Sequence, residues 1–94
     1  MDTPGYWQRE TGGQLVPAIL RYMRAEPLTV RDLSLVGAYL RQWVSAPAWD
    51  TNPHLGDGGR AELAAIRASA QKARTRDDID RLIDRLVDLG MDPL

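Results

Sequence analysis

Two threonines, Thr29 and Thr75, are each followed three residues later by an aspartate, Asp32 and Asp78. Each pair stands at the head of a run whose apolar residues recur every three or four positions. A hydroxyl just before a helix can accept from the backbone N–H three residues on. An acid at that third position can accept in return from the hydroxyl residue's own N–H. Aspartate reaches back less well than glutamate, so each pair is a shortened capping box. The two signals start helices at about residues 30 and 76. No five-residue stretch sustains the period-two alternation of a strand, and the chain is expected to be all-α.

The rest of the pattern fills in around these two starts. The helix after Thr29 is expected to run from Val30 to about Ser45, stopping before Pro47. Leu28 and Leu33 occupy the two positions of a hydrophobic staple. Leu33, Val36, Leu40, Trp43 and Val44 make its core stripe, opposite Arg31, Ser34, Ala38, Arg41 and Ser45. Gly37 lies on the apolar side and is expected to permit close approach of a neighbouring backbone. An earlier segment, about Gln14 to Ala25, follows Gly12-Gly13, tolerates Pro17 only in its first turn and is closed by Pro27.

A third segment, about Gly59 to Ala73, carries a thin stripe of Leu63, Ile66, Ala70 and Ala73. The fourth, after Thr75, buries Ile79, Leu82, Ile83, Leu86 and Leu89. Gly90 supplies a left-handed residue and Met91 is set against Leu86. The turn around Arg74-Thr75 is short, so segments three and four are expected to form a hairpin. Residues 46–59 hold two prolines and three glycines and read as a loop, pinned to the core by Trp49 and Leu55. The whole is one domain, residues 1–94. It is expected to be a small bundle of about four short helices with a C-terminal hairpin, segments two and four supplying most of the core. Residues 1–13 form an aromatic N-terminal arm. At 94 residues the chain can bury about two thirds of its unfolded surface, enough for one small core.

Composition removes whole classes of function. There is no cysteine, hence no disulfide, thiolate metal site or cysteine nucleophile. The single histidine, His54, excludes a histidine-rich metal site. A net charge of −1 argues against a globally basic nucleic-acid binder. Cationic charge comes from eleven arginines and only Lys72, which reads as codon bias of a GC-rich genome. Leu15 to Met23, the longest apolar stretch, contains Pro17 and Arg21 and is far short of the ~20 residues a membrane span needs. Residues 1–5 lack the basic start and apolar run of a signal peptide, so a cytoplasmic location is expected.

Few constellations carry chemistry. His54 lies among Asp50, Asn52 and Asp57, but no nucleophile-elbow pattern surrounds Ser34, Ser45 or Ser69. Tested as a calcium loop from Asp50, the same stretch puts Leu55 where glycine is required and Ala61 where a bidentate glutamate is required. Asx turns are the expected role of Asp50 and Asn52. Asp77, Asp80, Asp84 and Asp88 line one face of the fourth segment, interleaved with Arg81 and Arg85, and read as a solvated charged face. No metal, cofactor or catalytic residue is expected, and the chain is read as non-enzymatic.

Two surfaces remain. The first is apolar and aromatic. Val30, Leu35 and Tyr39 flank the core stripe of the second segment, and Tyr6 and Trp7 stand in the arm. These five are the expected contacts for another protein or a second copy of the chain, through which the molecule would act as adaptor, regulator or inhibitor. The competing structural reading is that the first segment covers that flank within the monomer. The second surface is basic. Arg60, Arg67, Lys72, Arg74 and Arg76 against Glu62 give +4 over residues 60–76. Six aspartates and two arginines give −4 over residues 77–94. The alternative function is therefore nucleic-acid association through this basic stripe, with binding that weakens steeply with salt. The structural reading is that cations favour the C-terminal end of the third segment and that the neighbouring segment neutralises the rest.

Overall fold

A computed structural model describes residues 13–94. Within them the chain folds as four α-helices with no strand: α1 (Leu15–Met23), α2 (Val30–Val44), α3 (Gly56–Lys72) and α4 (Arg76–Asp88). Each helix packs on the next, and α3 and α4 are joined by a three-residue turn. The protein is a small all-α bundle. Both capping boxes form. Thr29 Oγ1 accepts from the Asp32 N–H at 3.0 Å, and Asp32 Oδ2 accepts from the Thr29 N–H at 3.0 Å. Thr75 and Asp78 repeat the exchange at 3.2 and 3.0 Å.

The segment 46–59 departs from its expected loop character. Pro47–Thr51 winds into a 3₁₀ turn, and α3 begins at Gly56, three residues before Gly59. Proline at the first position of a helix gives up an N–H that has no intrahelical partner anyway, so Pro47 starts the turn rather than forbidding it. Gly56, with φ of +65°, lets the chain swing into α3. Trp49 and Leu55 do pack against the core. The Trp49 indole N–H donates to the Trp43 carbonyl at 3.0 Å, and the two rings lie 4.9 Å apart.

The core has two lobes joined at Trp43. One gathers Leu15, Ala18 and Ile19 of α1, Val36, Tyr39 and Leu40 of α2, and Ile79 of α4. The other gathers Val44, Leu63, Ile66, Ala70, Leu82 and Leu86, closed by Met91. Three apolar residues are buried from each of α1, α3 and α4 and four from α2. The helices thus share the core more evenly than the expectation that segments two and four dominate it. Short α1 contributes fully because every inward position is filled. Alanine-rich α3 contributes through Leu63, Ile66 and Ala70, while Ala61, Ala64, Ala65 and Ala68 are exposed.

Two helix ends close with the same geometry. At α4, Met91 N–H donates to the Leu86 carbonyl at 2.9 Å and Gly90 N–H to Val87 at 2.8 Å, with Gly90 at φ +78°. This is the expected Schellman ending. At α1, Glu26 N–H donates to Arg21 and Ala25 N–H to Tyr22, with Ala25 at φ 56°. There a side chain occupies the left-handed position that glycine tolerates best.

Candidate functional site

Of the residues expected to meet a partner, Tyr6 and Trp7 lie outside the described residues. Tyr39 does not lie on the surface. It is 3% exposed, and its hydroxyl donates to the Pro93 carbonyl at 3.0 Å. Leu35 is half-buried against the same core lobe. Helix α1 packs on this flank, as the competing reading anticipated, and the segment after α4, which it did not include, covers the rest. The sequence signal failed here because the reach of residues 91–94 back to Tyr39 is a long-range contact with no local mark. Val30 is left, 84% exposed at the first position of α2.

The basic set is dispersed by its internal bonds. A helix ends with four carbonyls lacking intrahelical partners and with the negative pole of its dipole, and a guanidinium answers both. Arg67 crosses from α3 to the end of α2. Its Nε donates to the Val44 carbonyl at 2.7 Å, one terminal nitrogen to Ala46 at 3.3 Å and the other to Asp50 at 2.7 Å. Arg76 crosses from α4 to the end of α1, donating to the Glu26 and Tyr22 carbonyls at 2.6 and 2.9 Å. It lies 5.2 Å from the Tyr22 ring centroid. Arg74 closes α3, donating to Gln71 and Ala73 at 3.1 and 2.7 Å. Arg60 donates to the Asp50 carbonyl at 3.2 Å and pairs with Asp57 at 3.4 Å. Lys72 is exposed.

Three of the four helices therefore end on an arginine, two of them supplied by another helix. The sequence showed the cations but not their destination, because each target is a backbone carbonyl and leaves no trace in residue identity. Asp50 serves Arg67 instead of an Asx turn, whereas Asn52 Oδ1 does accept from the His54 N–H at 2.9 Å. His54 itself is exposed in the turn before α3.

Among the described residues, two concave surfaces bear on these sets. One, of about 260 Å³, lies between α3 and α4 beside Ser69, Lys72, Arg81 and Arg85. Its guanidinium groups are occupied: Arg81 pairs with Asp78 at 2.7 Å, and Arg85 holds both Glu62 and Ser69. The other, a groove of about 600 Å³, opens between the outer face of α2 and the α3–α4 turn. Val30, Leu33 and Ala73 give it apolar walls, and Arg41, Arg74, Ser34 and Gln71 line the rest, with no acidic residue among them. The groove unites one residue from the expected apolar set, Val30, with one from the basic set, Arg74.

Gly37 has a different use from the one expected. A Cβ there would meet the Arg41 guanidinium at 3.3 Å, so the glycine makes room for a side chain of its own helix rather than for a neighbouring backbone. Arg41 thereby lies down beside α2 at the groove, with no carboxylate partner among the described residues.

Electrostatics of the two boxes complete the picture. The guanidinium of Arg21 grips Asp32 through two bonds of 2.6 and 3.1 Å. With the Thr29 N–H it holds that carboxyl at about 2. The N–H groups of Arg74 and Thr75 hold Asp78 at about 2 as well. Burial, and then the hydrogen bond to Asp80, push the Tyr22 hydroxyl up. Comparison with known proteins returns no match: no family model fits the chain, and no curated protein or solved structure is similar to it. Among the described residues, no helix is long and apolar enough to cross a membrane.

Proposed function

We propose that the chain is a small, non-enzymatic cytoplasmic module that works by docking onto another protein chain through the groove beside the start of α2. The observation that carries this reading is Val30. It is 84% exposed and forms, with Leu33 and Ala73, the apolar wall of a groove, so it is part of a concave apolar surface and not an isolated exposed side chain. Val30 is one of the partner contacts expected from sequence. Leu35 and Tyr39 are withdrawn from that surface by their packing inside the bundle. The nucleic-acid alternative loses support. Three of its five cations, Arg60, Arg67 and Arg76, each spend two or more guanidinium nitrogens on groups of this chain, which leaves Lys72 and part of Arg74.

A photo-crosslinking amino acid placed at Val30, with the same group at exposed Asp57 as control, tests the reading in the native host. Protein adducts specific to position 30 are the expected result. Equal labelling at both positions would sink it. A duplex-binding titration serves the alternative: steeply salt-dependent binding that falls on reversing Arg67 or Arg74 in a folded variant would revive it.

A further inference from the structure

The groove beside α2 is cationic and carries an exposed valine, and the far side of α4 carries the complementary surface. On α4, Asp84 lies four residues after Asp80, three before Val87 and four before Asp88, so it neighbours all three along one side of the helix. Val87 is 51% exposed, and Asp84 and Asp88 beside it are exposed. Asp80, at the head of this ridge, accepts from the Tyr22 hydroxyl, so the ridge runs along the α1 side of α4. The groove opens instead between α2 and the α3–α4 turn. One surface offers guanidinium groups around a valine, the other carboxylates around a valine. The two surfaces share no residue, and among the described residues no ion pair joins them.

We propose that the occupant of the groove is a second copy of this chain, which lays the Asp84–Val87–Asp88 ridge of its α4 against Val30, Arg41 and Arg74. The inference rests on the docking reading above and names its partner. Arg41 has no carboxylate partner within the described residues. Arg74 donates to carbonyls through one terminal nitrogen, leaving its other terminal nitrogen and Nε to meet a carboxylate. Val30 and Val87 then bury each other at the centre, with charge pairs at the rim. A net charge of −1 leaves little overall repulsion to oppose the contact. Groove and ridge are different residues, so the contact pairs one copy's groove with the other's ridge and leaves a second groove and ridge, which either close the pair reciprocally or take further copies.

The pure full-length protein tests this by sedimentation equilibrium over a range of concentrations. The expected result is a mass that climbs above that of the monomer with concentration at about 20 mM salt and returns towards the monomer at about 500 mM, because rim charges are screened. Two variants block one surface each. Val30→Asp puts a carboxylate in the groove at the first turn of α2, where the helix dipole favours an acid, so the fold is kept. Asp84→Lys reverses the ridge at an exposed position. Each variant alone is expected to self-associate about tenfold more weakly or less than that. Their equimolar mixture, with one good groove and one good ridge, is expected to form dimers and stop there.

A wild-type chain that stays monomeric throughout overturns the proposal, as does a variant that assembles like wild type or a mixture no heavier than its parts. Circular dichroism melts of both variants confirm folding. Monomeric wild type together with a specific crosslink from position 30 to a different protein would sink the self-docking inference alone. Loss of the crosslink altogether would sink the docking reading beneath it.

Discussion

Helix α2 and helix α4 begin with the same four-residue device, and the bonds match to within a few tenths of an ångström: 3.0 and 3.0 Å at Thr29 and Asp32, 3.0 and 3.2 Å at Thr75 and Asp78. Their surroundings differ. Asp32 is 4% exposed and held across the α1–α2 corner by Arg21. Asp78 is part-exposed and paired only with Arg81 on its own helix. Both carboxyls are held at about 2, the first chiefly by a guanidinium from another helix, the second chiefly by backbone N–H groups of its own turn. The first box ties two helices together, and the second only begins one. A depressed carboxyl therefore says how strongly its charged form is favoured, not how much tertiary structure depends on it.

The sharpest way to break the comparison is to remove each acid. Asp32→Ala loses a cap and two charge-assisted bonds, but releases Arg21 to water instead of stranding it. The expected cost is about 2–3 kcal/mol in denaturant unfolding. Asp78→Ala is expected to cost distinctly less. Equal losses would show that the cross-helix pair adds nothing.

Arg76 joins the two corners, since it stands one residue after Thr75 and bonds to carbonyls at the end of α1. Arg76→Ala is expected to destabilise by about 2 kcal/mol through two lost charged hydrogen bonds and the Tyr22 contact. Arg76→Lys should recover only part of this, because an ammonium cannot present the same planar fork.

Acid provides a third handle. A carboxyl depressed in the folded state stabilises above its unfolded pKa, and that contribution disappears as pH falls through the folded value. Both boxes therefore hold fully above about pH 4 and weaken towards pH 2, with roughly 2 kcal/mol of the loss traceable to Asp32. Unfolding curves of wild type and Asp32→Asn at pH 7, 4 and 2.5 check this. The difference between the two proteins should shrink with acid and not grow.

The smallest effect is a gain. Ala25 holds the left-handed position that ends α1, with φ 56°, where α4 uses Gly90. Ala25→Gly is expected to stabilise by about 0.5–1 kcal/mol, raising the melting temperature by a few degrees. A fall in stability would mean that the entropy glycine adds to the unfolded chain outweighs the strain it relieves.

Sequence alone determined the local events. It marked both capping boxes, the glycine ending of α4, the stripes that face the core, the short α3–α4 turn and the absence of strands. Each depends on residues within one or two turns of each other, so spacing and side-chain type are enough. The candidate site was legible only in fragments. Val30 and Arg74 stood in two separate expected surfaces, and Arg41 was read as part of a non-core stripe. Tertiary structure decided the rest. It buried Tyr39 under Pro93, sent Arg67 and Arg76 to the carbonyls of other helices, and gathered Val30, Arg41 and Arg74 around one groove. The first two have the same physical reason. A backbone carbonyl is present at every residue, so which one a side chain will meet is set by how the helices lie together.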